Sequence, residues 1–139
     1  MPAISELMTR DVRTVSPETT LQQAAQLLQE LDIGSLPVCN GQRLLGMVTD
    51  RDMTIRGIAA GLPPQSTAVK EVMTDTIAYC LETDSVDDVM RKMGERQLRR
   101  MPVIDGERNL VGIVALGDLA TNRARNTDKV LRKISESTS

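Results

Sequence analysis

Thr49 and Asp52 are the residues of this chain whose types and spacing suggest a binding chemistry. Thr49 ends the apolar run LLGMVT, and we expect it where a strand passes into a helix. Backbone N–H groups and the positive end of the helix dipole favour an anion such as phosphate at that point. Asp52 follows on the same side, and its carboxylate can accept two hydrogen bonds at once, as the paired hydroxyls of a ribose require. The two residues therefore predict a nucleotide site.

The same pattern also has a purely structural interpretation. Threonine is a common helix N-cap, and the helix dipole favours an aspartate in the first turn without any ligand. The role of Arg51 is equally open, since its guanidinium is either a phosphate partner or a solvated surface charge. Two glycines in predicted strands, Gly46 and Gly112, allow a ligand or another backbone segment to come close, although tight packing alone would also explain them.

Repetition of the whole context favours the binding interpretation. The segment ISELMT that begins at Ile4 returns as VKEVMT at Val69, 65 residues later, and the same offset takes Pro37 onto Pro102. One inserted residue then changes the offset to 66, which brings Asp52 onto Asp118. Two copies of one unit thus cover nearly the whole chain.

The second copy of the motif is incomplete. Ala115 and Leu116 stand where the first copy has Thr49 and Asp50, so the hydroxyl is lost while the later aspartate is kept. We therefore expect two unequal sites.

Each copy reads as a strand, a helix, two strands and a second helix, an α+β pattern. Helices are indicated by apolar residues at helical spacing after a Ser or Thr start, and strands by short apolar runs joined by turn residues. The first copy is predicted to contain the strand RTV, a helix over 16–33, the strands SLPV and LLGMVT, and the helix DRDMTIRGIAA stopped by Gly61. The second copy is predicted to contain IAYC, the helix SVDDVMRKMGERQ, the hairpin RRMPVIDGERNLVGIVA and a helix from Leu116.

The repeat boundaries predict four segments along the chain. The Gly, Pro and small polar residues of GLPPQSTA are typical of a linker. The predicted segments are a first repeat over 1–62, a linker over 63–68, a second repeat over 69–124, and a C-terminal tail over 125–139 with a turn or two of amphipathic helix. A unit of about 60 residues buries too little surface to be stable alone. We therefore expect the copies to pack together, with binding clefts in pairs along a pseudo-twofold axis.

Composition limits the chemistry available to the chain. Its formal net charge is −2 and a single tyrosine is its only aromatic residue, which argues against nucleic acid as a partner. It has no histidine, and Cys39 and Cys80 are too few for a disulfide scaffold or a zinc site. We interpret both thiols as buried small apolar residues, with redox activity as the alternative. Without a nucleophile beside a plausible base, we predict that the protein is not an enzyme.

No part of the sequence predicts a membrane segment. The N-terminal residues lack the apolar stretch of a signal peptide, and no window approaches about eighteen consecutive apolar residues. We therefore expect a cytoplasmic protein with an aliphatic core and no membrane partner.

The repeated motifs resemble those of tandem cystathionine-β-synthase (CBS) domain pairs, also called Bateman modules. The resemblance is carried by the VMT-type opening segment, by the Pro-Val strands in LPVCNGQRLLGMVTDRD and MPVIDGERNLVGIVALGD, and by the closing aspartate. These features occur in duplicate and in the same order, over about residues 1–123. Among such proteins the chain is most similar to small bacterial ones that consist of the pair alone.

The resemblance implies two β-α-β-β-α repeats packed sheet to sheet, with AMP, ADP, ATP or S-adenosylmethionine bound in clefts between them and no cofactor required. It implies that Asp52 and Asp118 hold ribose and that Thr49 meets phosphate. Backbone groups that would meet the adenine edge lie around Thr14, Val15, Tyr79 and Cys80. Apolar side chains that would wall the base are Pro37, Val48, Pro102 and Val114.

Two arginines of the second repeat bear on phosphate binding. Arg99 and Arg100 replace Gly34 and Ser35 of the first copy. They either restore phosphate affinity across the cleft or are solvated surface charges.

Two functions follow as alternatives. The first is a regulatory module that senses an adenosine-containing ligand and acts on an unidentified protein partner. The second is an assembly or interaction protein whose clefts are empty or vestigial. In both cases the resemblance implies a homodimer, and the candidate contacts on its outward helices are Ile55, Ile58 and Met90.

Overall fold

The computed structural model describes residues 3–124, and its strands form two small sheets, one in each repeat. The first repeat contains α1 (Leu21–Leu31), β1 (Ser35–Asn40) and β2 (Arg43–Thr49). Helix α2 follows directly as an α-helical turn, Asp50–Asp52, that continues as a π-helix, Met53–Ile58. The tail predicted over 125–139 lies outside the described residues.

The second repeat has the corresponding elements. It contains β3 (Cys80–Leu81), α3 (Val86–Glu95), β4 (Arg100–Ile104), β5 (Leu110–Ala115) and the helical residues 116–124, here named α4. A short 3-10 turn opens each repeat, at Ile4–Glu6 and at Val69–Glu71. Strands β1 and β2 pair as an antiparallel hairpin, as do β4 and β5, while β3 lies parallel to β4. This mixture of helices and two small sheets confirms the predicted α+β class.

The first strand of each repeat is shorter than the sequence predicts. In RTV only Val15 pairs: its N–H donates to the carbonyl of Pro37 at 3.0 Å, and its carbonyl accepts from Cys39 at 2.9 Å. Two residues later Pro17 has no N–H to donate and the chain turns, so the pairing stops. In the second repeat only Cys80 of the predicted strand IAYC lies in a strand, and β3 continues to Leu81.

Helices α1 and α3 each begin directly after an N-capping residue. Helix α1 begins at Leu21, later than the predicted start at Ser16, because Thr20 is its N-cap. The Thr20 hydroxyl accepts from the N–H of Gln23 at 3.1 Å, and the Gln23 side chain accepts from the N–H of Thr20 at 3.0 Å. This capping box satisfies two backbone donors that the first turn cannot satisfy internally. Ser85 caps α3 in the second repeat.

The opening segment of each repeat packs into the core of the other repeat. Ile4 is fully buried in the core of the second repeat, and Val69 is fully buried in the core of the first. Equivalent backbone hydrogen bonds hold both residues. The N–H of Ile4 donates to the carbonyl of Asp84 at 3.0 Å, and the N–H of Val69 donates to the carbonyl of Thr19 at 2.8 Å. Each core therefore depends on residues from both repeats, and the contacts repeat as a pseudo-twofold relation requires.

The chain after each opening turn also joins the last strand of the other repeat. Thr74 exchanges two backbone hydrogen bonds with Met47 of β2, both 2.9 Å long. Thr9 likewise exchanges two with Ile113 of β5, at 2.8 and 2.9 Å. Both sheets are extended in this way by a residue that belongs to the other half of the chain.

These bridges explain the two strand glycines. A β-carbon at Gly46 would overlap the carbonyl oxygen of Thr74, and one at Gly112 would lie 2.9 Å from the carbonyl oxygen of Thr9. Both distances are too short for a side chain. Of the alternatives left open by the sequence, the close approach is therefore that of another backbone segment.

A smaller apolar cluster joins the two hairpins. Cys39, Leu44 and Ile104 are its buried members. The hairpins are also bonded directly, because the N–H of Leu44 donates to the carbonyl of Arg108 at 3.1 Å and that of Leu110 donates to the carbonyl of Gln42 at 2.8 Å. The two sheets thus meet edge to edge as well as through side chains.

Residues 63–68, the predicted linker, are packed against the start of α1. The N–H of Leu21 donates to the carbonyl of Thr67 at 2.9 Å, and the N–H of Gln22 donates to the carbonyl of Pro64 at 3.0 Å. Thr67 is buried. The connection between the repeats therefore satisfies backbone donors of the helix instead of crossing open solvent.

Replacing Gly46 by alanine should destabilise the protein, whereas replacing Gly94 by alanine should not. A methyl group at position 46 displaces the Thr74 backbone, and we expect a loss of about 2 kcal/mol or more in the free energy of unfolding. Gly94 lies in α3, where an added β-carbon would meet no other group of residues 3–124 within 4 Å. Gly94→Ala should be neutral or stabilise by up to about 1 kcal/mol. Urea denaturation measures both, and equal stability of the two variants would contradict the proposed backbone contact.

Candidate functional site

A cleft of about 1270 Å³ lies between the two repeats. One wall comes from the end of β2 and the start of α2, and it carries Thr49, Arg51 and Asp52. The opposite wall comes from the second repeat, at the chain between α3 and β4. Residues 74 and 76–78 and the start of α4 complete it. We call this the larger cleft.

Thr49 and Asp52 form a reciprocal capping box in the wall of the larger cleft. The N–H of Asp52 donates to the Thr49 hydroxyl at 2.9 Å, and the N–H of Thr49 donates to Oδ2 of Asp52 at 3.0 Å. Both residues are half-buried. The hydroxyl keeps its own proton for donation, and within residues 3–124 the second carboxylate oxygen, Oδ1, has no hydrogen-bond donor. The box therefore satisfies the helix start and still leaves one donor and one acceptor for a ligand.

The structure confirms the capping role of Thr49, and this role is compatible with a binding role. Thr49 caps α2 as the structural interpretation requires, and the cap fixes the orientation of both side chains before any ligand binds. Asp50, the first residue of α2, accepts the N–H of Arg51 at 2.8 Å. Arg51 itself is exposed and lines the cleft.

Arginines occupy the opposite wall of the larger cleft. Arg99 and Arg100 both line it, together with Arg96, which no sequence motif had indicated. All three are exposed. Arg96 is the C-cap of α3, and Gln97 after it has a left-handed backbone with φ 57°, so the chain reverses here and brings the three arginines to one wall.

A second, smaller cleft of about 250 Å³ contains Asp118. Its walls include the chain from Thr9 to Arg13, the start of β1, and Ala115 at the position of the missing threonine. Asp118 is exposed. The smaller cleft is therefore the pseudo-symmetric counterpart of the larger one, without the hydroxyl. Five residues line both clefts: Ile33, Ser35, Met47, Arg100 and Ala115.

The four apolar residues predicted to wall the base are divided by the structure. Pro37 lines the smaller cleft and Pro102 the larger one, whereas Val48 and Val114 are fully buried in the two hydrophobic cores. Successive side chains of a strand point to opposite faces, so the residue beside each buried valine faces the cleft instead. That neighbour is Met47 in β2 and Ile113 in β5.

Thr14, Val15, Tyr79 and Cys80 line neither cleft. Both backbone groups of Val15 already bond to β1, and the carbonyl of Tyr79 accepts from the side chain of Lys92. Most residues of the segments 9–13 and 74–78 line the clefts in their place; the exceptions are Arg10 and Asp75. The sequence does contain a signal for them, because each segment begins at the threonine that ends the repeated opening motif.

Both cysteines are buried, unpaired thiols. Burial raises the pKa of Cys39 to about 11. Burial also raises the pKa of Cys80 to about 12, with a further rise from the charge of Asp84 and an opposing effect of Lys92. Both thiols therefore stay protonated at neutral pH, in agreement with their interpretation as small apolar residues. Within residues 3–124 no group of three Cys, Asp or Glu side chains is placed to hold a metal ion.

Comparison with known proteins identifies the repeats. The model of the CBS domain family matches residues 4–56 and 69–125. The CBS domain-containing protein YhcV of Bacillus subtilis (strain 168) is 43% identical over 126 residues, which are 91% of this chain and 89% of YhcV. These matches cover both copies of the motif.

Two solved structures have the same fold. One is the crystal structure of Hypoxic Response Protein I with two coordinated zinc ions; hypoxic response protein 1 is a protein of Mycobacterium tuberculosis. Its TM-score is 0.79 at 41% sequence identity, and the match covers 88% of this chain and 99% of that one. The crystal structure of CBSX2 from Arabidopsis thaliana in complex with AMP has a TM-score of 0.78 at 24% identity, covering 91% and 99% of the two chains. At that identity the second likeness supports the fold alone.

The folded protein should resist alkylation of its thiols. At pH 8 iodoacetamide should modify Cys39 and Cys80 at least about a hundredfold more slowly in the folded state than in guanidinium chloride, because burial holds both thiols protonated and inaccessible. Since their folded pKa values lie above the value of 9.0 for a free thiol, this protection should persist until the pH rises above about 9. Mass spectrometry counts the labels. Rapid labelling of the folded protein would instead support a redox role.

Proposed function

The chain belongs to the CBS domain family, and on that premise we propose that it is a non-catalytic regulatory module that binds an adenosine-containing ligand in its larger cleft. Proteins built from CBS pairs are regulatory modules, and the similar structure of CBSX2 holds AMP. The observation that carries the proposal is the Thr49–Asp52 capping box in the wall of that cleft. It presents a free hydroxyl proton and a free carboxylate oxygen at a fixed spacing.

The larger cleft offers a partner for each part of such a ligand. Oδ1 of Asp52 accepts a ribose hydroxyl, and the Thr49 hydroxyl donates to the first phosphate. The N-terminus of α2 adds its dipole at the same point. The adenine packs on aliphatic surface, which Met47, Ile77 and Pro102 supply. An apolar slot of this kind holds the base without an aromatic stack.

The position of the cleft suits regulation. Its walls come from different repeats, so a ligand that contacts both favours the arrangement in which they fit it best. Thr74 and Met47 both line the cleft, and the backbone hydrogen bonds between them join the two repeats beside the proposed ligand position. A signal reaches a protein partner only if the ligand and the partner prefer the same arrangement. Catalysis plays no part in this proposal, because the chain has no histidine and neither thiol is among the described residues that line the cleft.

The alternative is an assembly or interaction protein that has no ligand. The reduced volume of the smaller cleft and its missing hydroxyl favour this role for the Asp118 site. A thermal-shift screen with adenosine, AMP, ADP, ATP and S-adenosylmethionine separates the two functions. A ligand at about 100 times its Kd should raise the stability by about 2.7 kcal/mol, and no shift with any of them would favour assembly.

The proposed location is the cytoplasm, without nucleic acid as a partner. None of the helices within residues 3–124 has the length and apolar character needed to cross a bilayer. The formal net charge of −2 gives no general attraction to nucleic acid.

Asp52→Asn should weaken nucleotide binding more than Asp118→Asn. An amide oxygen at position 52 would be an uncharged and weaker acceptor for ribose, and only the Asp52 site also has the threonine donor. We expect the Kd for AMP to rise about tenfold or more in Asp52→Asn, the usual effect of losing a hydrogen bond to a charged group, and about twofold or less in Asp118→Asn. Isothermal titration calorimetry measures both. Equal losses would contradict the proposed asymmetry.

We also propose that the protein is a homodimer through α2. Ile55 and Ile58 are 55% and 63% exposed, whereas Met90 is half-buried against the core of the second repeat. Light scattering should give the mass of a dimer at micromolar concentration. Ile55→Lys/Ile58→Lys should give a folded monomer that melts cooperatively, at a temperature lowered only by the loss of the dimer contact, since charges oppose burial of this face. Ile55→Val/Ile58→Val should stay dimeric. A monomeric wild-type protein would exclude the dimer.

A further inference from the structure

We propose that the larger cleft selects adenosine ligands by their phosphates and takes a nucleoside di- or triphosphate in preference to an unphosphorylated or cationic adenosine compound. This inference rests on the proposed function and specifies the ligand class of the same site. The residues responsible are Arg96 and Arg99, which line the larger cleft alone, and Arg100, which lines both clefts.

The guanidinium groups of this wall have no anionic partner in the described part of the protein. Within residues 3–124 none of Arg96, Arg99 and Arg100 forms an ion pair, and the same is true of Arg51 on the facing wall. Elsewhere on the surface an arginine does find an acid, as Arg91 does in its 3.1 Å contact with Asp88. Four guanidinium groups without an acidic partner among the described residues therefore line one cleft.

The carboxylates of the cleft do not neutralise these arginines. Asp50 accepts the N–H of Arg51 at 2.8 Å and Asp52 accepts the N–H of Thr49 at 3.0 Å, so both are oriented toward backbone donors at the start of α2. Asp32, the third acid, lies on the first-repeat side at the C-cap of α1. The three acids thus lie on the first-repeat wall together with Arg51, whereas the second-repeat wall carries three arginines and none of the acids among the described residues that line the cleft.

This separation fits a chain of phosphates. With the ribose at Asp52 and the first phosphate at Thr49, further phosphates extend across the cleft toward the arginines of the second repeat. Arginine suits this role because its planar guanidinium donates two parallel hydrogen bonds to phosphate oxygens. The volume of about 1270 Å³ also exceeds the range typical of a small-ligand pocket, about 300–1,000 Å³.

The equivalent positions of the first repeat carry no charged residues, so the fold itself does not require the three arginines. The offset of 65 residues places Leu31, Gly34 and Ser35 where the second repeat has its three arginines. Leu31 and Ser35 line the smaller cleft, where the threonine is also missing. One fold thus accommodates both walls, and only the larger cleft combines the hydroxyl with the three arginines.

The test is calorimetric titration of the full chain with adenosine, AMP, ADP, ATP and S-adenosylmethionine. The variant is Arg96→Gln/Arg99→Gln, since both residues line only the larger cleft, and the control is Arg91→Gln, which removes an exposed charge outside it. The wild-type protein should bind ATP at least about tenfold more tightly than AMP, as expected for added charge-assisted hydrogen bonds. The double variant should lose most of that difference and keep its Kd for AMP within about twofold. The control should match the wild type.

Two outcomes would overturn the inference while leaving the proposed function intact. One is a wild-type protein that binds AMP or S-adenosylmethionine as tightly as ATP, and the other is a double variant that loses AMP and ATP affinity equally. If no adenosine compound binds at all, the proposed function itself fails. Raising the salt concentration supplies an independent readout, because it should weaken ATP binding to the wild type more than to the double variant.

Discussion

The structure depends on the backbone bridges that each half of the chain makes with the other. Thr74 bonds to Met47 and Thr9 bonds to Ile113, and both contacts need a glycine beside them because a side chain would occupy the space of the incoming carbonyl. The bridges follow the turns Ile4–Glu6 and Val69–Glu71, whose residues Ile4 and Val69 are buried in the opposite cores. Neither repeat therefore completes its core alone, and a cleft formed where they meet has walls from both.

The site uses local structure that the fold already needs. The Thr49–Asp52 box satisfies the start of α2, so helix capping fixes its geometry, and the proposed ligand would meet side chains that are already ordered. The second copy keeps the aspartate without the threonine, and Arg96 and Arg99 line only the larger cleft. Duplication thus produced two equivalent positions, and substitution at a few residues made them chemically different.

Much of the fold could be predicted from the sequence, and less of the site. The hairpins, the helices, the α+β class and the capping role of Thr49 follow from short patterns whose causes lie within a few residues. Three features could not be predicted from such patterns: the short first strands, the π-helical continuation of α2, and the cleft-lining segments 9–13 and 74–78. Val48 was expected in the cleft wall, but Met47 lies there.

The sequence by itself determined the repeat, the elements and the unequal motifs, because hydrophobic period, capping residues and turn residues act locally. Only the tertiary structure decided which segments exchange between the repeats, which face of β2 looks into the cleft, and which arginines stand across from Asp52. Those contacts join residues far apart in the chain, such as Leu44 and Arg108, whose side chain donates to the Leu44 carbonyl at 3.2 Å. Local patterns do not specify the partner of a strand edge, since every edge offers the same backbone donors and acceptors.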